Sequence, residues 1–221
     1  MNWKKIYASA ELIFYCLRIN LCVLLGILMG GVLLGIGPGI QAGFHLAKLD
    51  IRKQGVPVLR TYLSYYKENF WRINRIFGPI LLIFGLPTVM VQLFVVTDLT
   101  IKGLVLYIIS QCILITVVMT MFAMYEFYEI PAKRYFGFSL KFLTYQPVGS
   151  LLGLLWFGIC STVTLLLPGL LPFVSIGIWI YGTMGLYLKF FEENEQKVAA
   201  AAVEETSEME EATNGIEMVK R

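Results

Sequence analysis

The sequence predicts an all-α protein, a polytopic transmembrane helical bundle of about five spans with amphipathic helices at the membrane surface. Three observations carry this. The 221 residues are 57% hydrophobic and 15% charged, against soluble norms of about one half and one quarter. Uncharged stretches exceed the roughly 18 residues that cross hydrocarbon as a helix. No Asp, Glu, Lys or Arg occurs from Ile19 to Ala47 or from Phe142 to Leu188. These stretches are continuous rather than alternating, and backbone in lipid must bond internally, which selects helices over a closed barrel.

The first span is expected over 12–36, after an interfacial start with Trp3, Lys4, Lys5 and Tyr7. Gly37-Pro38-Gly39 is the expected hinge, because proline suits the first turn of a new helix. An interfacial helix over 39–53 should follow, with Ile40, Phe44, Ala47 and Ile51 on one face. Gln54-Gly55-Val56-Pro57 is a turn, and 58–74 reads as a second amphipathic helix. Spans are then expected over 76–96, 103–125, 148–167 and 173–188. Gly78-Pro79 marks the entry to the first of these and Pro168-Gly169 the turn between the last two.

Charge divides the chain. Residues 1–189 carry 15 basic and 6 acidic side chains, and residues 190–221 carry 3 and 9. The latter form an acidic cytoplasmic tail, partly disordered, with coil expected past Asn214-Gly215. The basic residues concentrate in Lys48, Arg52, Lys53, Arg60, Lys67, Arg72 and Arg75. These are expected at the cytoplasmic surface against anionic lipid, where each well-placed charge is worth about 1 kcal/mol. Counting basic loops places the N-terminus outside and the C-terminus in the cytoplasm. The acidic tail is expected to be drawn to the basic stretch. Charges that flank apolar spans argue for a bilayer partner and no nucleic acid.

The segment from Asn20-Leu21 through Gly37-Pro38 and Ala42, then Tyr66-Lys67-Glu68-Asn69-Phe70, resembles the YesL-like family of bacterial integral membrane proteins, a domain of unknown function. The likeness covers roughly residues 12–80, and the later hairpins by hydropathy alone. Val23 and Leu24 stand where the family often has Trp, and Gly39-Ile40 where it often has Ala-Thr. The resemblance implies a bacterial cytoplasmic-membrane location and, from gene neighbourhood, an accessory role in carbohydrate uptake beside a sugar-uptake transporter. It supplies no catalytic residue.

Chemistry-bearing motifs are sparse. Catalysis needs convergent titratable groups, and no HExxH, CxxC, phosphate-cradling loop or nucleophile elbow is present. The expectation is a non-enzyme without cofactor or metal. The alternative is a small carrier or channel for a neutral polar solute, lined by groups such as Asn20, Gln92, Gln111, Thr116, Thr120, Ser161, Thr162 and Thr164. Gly26, Gly30, Gly31, Gly35, Gly149 and Gly153 have the spacing that lets helices approach closely, within one chain or in a homo-oligomer. The lone His45 and the cysteines Cys16, Cys22, Cys112 and Cys160 read as packing or interfacial side chains. A membrane-embedded enzyme would instead need Glu126, Glu129, Lys133 and Arg134 to converge on Arg72 and Asn74.

Overall fold

The computed structural model describes residues 3–85 and 101–219. It divides into two units, Met1–Tyr187 and Leu188–Arg221. The described residues form α1 (Trp3–Met29), α2 (Leu33–Ile51), α3 (Val58–Ile80), α4 (Ile101–Phe127), α5 (Tyr135–Tyr145), α6 (Pro147–Leu166) and α7 (Ile176–Val219). Among them, four segments are long and apolar enough to cross a membrane: Ser9–Met29, Gly103–Phe127, Pro147–Leu166 and Pro168–Ala200. The expected span 76–96 falls partly outside the described residues. Its first part ends α3 and continues as a π turn over Leu81–Gly85.

The break after the first span corrects the sequence reading. It falls at Gly30–Val32, not at Gly37-Pro38-Gly39. Gly31 takes φ +66°, a conformation open to glycine, and Val32 takes φ 64°. Pro38 sits inside α2, where the missing N–H leaves out one rung of the ladder without ending it. Gly30 and Gly35 meet across the turn so closely that a side chain on either would overlap the other helix.

α2 also differs from the interfacial helix expected over 39–53. It is the core of the first unit, with Gly35, Gly37, Pro38, Gly39, Gln41, Ala42, Gly43, Phe44, Leu46 and Ala47 buried. The cause is its run of small residues. A side-chain carbon at Gly43 would lie 2.9 Å from both Ile180 and Val23, so α1 and α7 close on α2 at van der Waals distance. Phe44 stacks on Phe122 of α4 at 5.6 Å and meets Trp179 of α7 edge-on at 6.0 Å.

α1 and α2 are antiparallel. Tyr15 donates to the Leu46 carbonyl at 3.0 Å, Gly39 faces Val23 and Ile27, and Gly30 faces Gly35. The start of α1 and the end of α2 therefore lie at one end of the unit. That corrects the expectation that the N-terminus and the basic stretch lie on opposite sides. α3 buries one stripe, Tyr62, Tyr66, Ile73, Ile76 and Phe77, and passes 74 without the boundary expected there. Tyr62 and Tyr66 donate to the carbonyls of Gly39 (3.1 Å) and Gly26 (2.7 Å).

Asn20 is fully buried and joins α1 to the start of α7. Its amide nitrogen donates to the carbonyls of Leu171 (3.2 Å) and Pro172 (2.8 Å). Its oxygen accepts from the N–H groups of Ile176 (2.9 Å) and Gly177 (3.2 Å). The helix opens into a π turn over Leu171–Ser175, and one side-chain amide bridges the interrupted rungs. Gly177 permits this approach, since a side chain there would overlap the Cys16 backbone. In the second unit the chain is helical to Val219, including Asn214-Gly215.

Candidate functional site

The ionisable groups converge on Glu126, in the last turn of α4. Its side chain is 2% exposed, in a segment apolar enough to lie in lipid. A carboxylate there is costly unless surrounded by donors, and two neighbouring helices supply them. From α2, Gln41 Nε2 donates to Oε1 at 2.7 Å and His45 Nδ1 bonds Oε2 at 2.9 Å. Lys48 Nζ lies 3.8 Å from Oε2 and donates to the Glu126 carbonyl. From α3, Tyr65 Oη donates to Oε1 at 2.5 Å. Gln41 Nε2 also reaches the Phe122 carbonyl at 3.2 Å.

Helical spacing makes this possible. Gln41, His45 and Lys48 are i, i+4 and i+7, a single stripe facing α4. Tyr65 lies parallel to the His45 ring, with centroids 4.0 Å apart and 15° between planes. The stack fixes the imidazole with Nδ1 towards the carboxylate. Burial, and the Glu126 carboxylate beside it, push the Tyr65 phenol well above its ordinary value, so it remains a donor across the physiological range. Next to the node lies a cleft of about 370 Å³ lined by His45, Pro57, Arg60, Thr61, Ser64, Tyr65 and Glu68. His45 and Lys48 keep 22% and 20% of their side chains in contact with the outside, and Tyr65 is half-buried.

This predicts an alkaline weakness. An unfolded tyrosine ionises near pH 10, whereas folded Tyr65 holds its proton to higher pH. The folded state then binds more protons above pH 10, so stability is intact below that pH and falls as pH rises past it. Unfolding midpoints in detergent between pH 8 and 11.5 should decline, and Tyr65→Phe should flatten the decline.

The seven expected surface cations are placed as follows. Arg52, Lys53, Arg60, Lys67, Arg72 and Arg75 are exposed, while Lys48 is half-buried in the node. Arg72 lies over the Tyr125 ring at 5.3 Å and Arg52 over Phe127 at 5.8 Å. Of the packing glycines, Gly26 faces Tyr62 and Tyr66, Gly35 faces the Ile27 backbone and Gly153 faces Tyr187, while Gly31 meets nothing. Gly149 is buried in α6. Gly37 and Gly39 keep ordinary contact distances to α3 and α1. Arg72 and Asn74 do not join Glu126. Sequence reading missed the node because Glu126 stands at the edge of an apolar run and resembles a boundary charge. The Gln41, His45, Lys48 stripe was the signal that could have found it.

Residues 3–90 match the family model described as "Protein of unknown function, DUF624". The chain is also 31% identical over 197 residues to the "Uncharacterized protein YesV" of Bacillus subtilis (strain 168), covering 84% of this chain and 88% of that protein. The chain belongs to the DUF624 family. No solved structure matches it. Gln41, His45, Lys48 and Tyr65 lie inside the stretch matched to DUF624, and Glu126 lies beyond it. The DUF624 match thus spans the donors of the node, while the alignment to YesV runs over most of the chain.

Proposed function

We propose that this protein is a non-enzymatic accessory component of the bacterial cytoplasmic membrane that partners a sugar-uptake transporter, with its basic end in the cytoplasm. The observation that supports it is the closure of the Glu126 node. Its carboxylate oxygens are taken by Gln41, Tyr65 and His45, so the charged groups serve to hold α2, α3 and α4 together. A conduit for a polar solute would space free polar groups along its path. Here Thr116 and Thr120 bond the carbonyls four residues back in their own helix, both at 2.8 Å. Thr164 does the same to Cys160 at 2.7 Å and bonds Ser175 at 2.9 Å.

Orientation follows from basic residues. The end of α2 carries Lys48, Arg52 and Lys53, and the antiparallel hairpin brings the start of α1, with Lys4 and Lys5, to the same side. Both then face the cytoplasm. The test is purification of tagged protein in mild detergent from cells induced on polysaccharide. The expected result is co-purification of an importer permease or its ATPase. Absence of both, together with movement of a labelled oligosaccharide by the protein alone in liposomes, would replace this reading with the carrier.

A further inference from the structure

A second polar site opens on the other side of α2. A cleft of about 670 Å³ is lined by Glu11, Leu12, Phe14, Tyr15, Arg18, Asp50 and Tyr181. Glu11, Tyr15 and Arg18 are i, i+4 and i+7 on α1, one stripe facing the end of α2 and the start of α7. Tyr181 Oη donates to Asp50 Oδ2 at 3.0 Å. Tyr15 is tied to Leu46 and meets Tyr181 edge-on with centroids 6.2 Å apart. The aromatic walls are thus held in place. No ion pair within 4 Å joins Arg18 to Glu11 or to Asp50, in contrast to Glu126 with His45 and Lys48. Arg18, Glu11 and Asp50 therefore share the cleft without closing on one another.

That arrangement is unusual for its depth. Arg18 is exposed on a segment, Ser9–Met29, that is apolar enough to span. Ionisable residues at membrane depth pair or mark a ligand. Leu12 and Phe14 stand exposed on its rim, at 41% and 63%, and offer acyl chains an apolar edge beside the charged groups. The geometry points to a binding site for a zwitterionic phospholipid whose headgroup carries a primary ammonium beside a phosphate diester. Arg18 would take the phosphate, as guanidinium suits phosphate oxygens. Asp50 and Glu11 would take the ammonium. Leu12 and Phe14 would lie along the glycerol and first methylenes.

The chemistry discriminates among lipids. A quaternary ammonium has no N–H to give to Asp50. A glycerol headgroup leaves both carboxylates facing a net anion. The same ammonium-phosphate chemistry occurs in water-soluble glycerophosphoethanolamine, and the apolar rim favours the lipid.

The test is native mass spectrometry of the delipidated full chain in detergent, titrated separately with phosphatidylethanolamine, phosphatidylcholine and phosphatidylglycerol of identical acyl chains. Soluble glycerophosphoethanolamine is the fourth arm. Phosphatidylethanolamine should bind about tenfold more tightly than either other lipid, the size of one charge-assisted hydrogen bond. Arg18→Gln and Glu11→Gln, at exposed positions, and Asp50→Asn should each erase most of that preference. If Asp50→Asn fails to fold, the two exposed variants decide. Equal binding of the three lipids, or a preference that survives Arg18→Gln and Glu11→Gln, would overturn the proposal. Saturation by the soluble headgroup at the lipid's own affinity would overturn its assignment to lipid.

Discussion

Replacing Glu126 with leucine is expected to destabilise the protein by roughly 3–5 kcal/mol, the range for removing one member of a buried ionic cluster. The loss has a named origin. Gln41, Tyr65 and His45 each bond this carboxylate, and Lys48 stands 3.8 Å away. Leucine leaves Gln41, Tyr65 and His45 without this acceptor in a largely buried setting. Glu126→Gln keeps an acceptor for Tyr65 and should cost about 1–2 kcal/mol. Reversible unfolding in bicelles or mild detergent measures both. A leucine variant as stable as the parent would mean that the node contributes nothing to cohesion.

The second large effect is expected at Asn20. Asn20→Leu removes four hydrogen bonds at once, to Leu171, Pro172, Ile176 and Gly177. Interhelical bonds in membranes are worth about 0.6–2 kcal/mol each and are not additive, so a total of roughly 2–4 kcal/mol is expected. The π turn over Leu171–Ser175 should also become the first part of α7 to exchange amide hydrogens. Leu25→Ala, on the same helix but half-exposed, is the control and should change stability by less than about 1 kcal/mol. Equal effects of the two variants, or unchanged exchange at Ile176 and Gly177, would show that Asn20 does not bridge the helices.

Much of the architecture was legible because lipid imposes simple rules. Continuous apolar runs located helices close to 103–125 and 148–167, and Pro168-Gly169 marked the turn before α7. The amphipathic stripe of α3 was visible in its tyrosines. Two features were not legible. Sequence alone places the hinge at Gly37-Pro38-Gly39, because proline is the stronger local punctuation. In a helix crowded by neighbours, one absent N–H costs less than breaking the packing of Gly35, Gly39 and Gly43. The adjacent Gly30 and Gly31 supplied the backbone freedom instead. The site was obscured for a related reason. His45 looked isolated because its partners lie 20 and 81 positions away, at Tyr65 and Glu126. Local spacing revealed the α2 stripe but not the face that receives it. Asn20 shows the opposite balance. A single amide in an uncharged run was recognisable as a polar group at membrane depth, while its task of bridging an open helix turn depends on a contact more than 150 residues away.

The most direct test is a double-mutant cycle between Glu126→Gln and Tyr65→Phe, read by reversible unfolding near neutral pH. A carboxylate shared between α3 and α4 predicts a coupling of at least about 1 kcal/mol. Additive effects, to within about 0.3 kcal/mol, would mean that the two side chains do not meet and that the node does not hold these helices together.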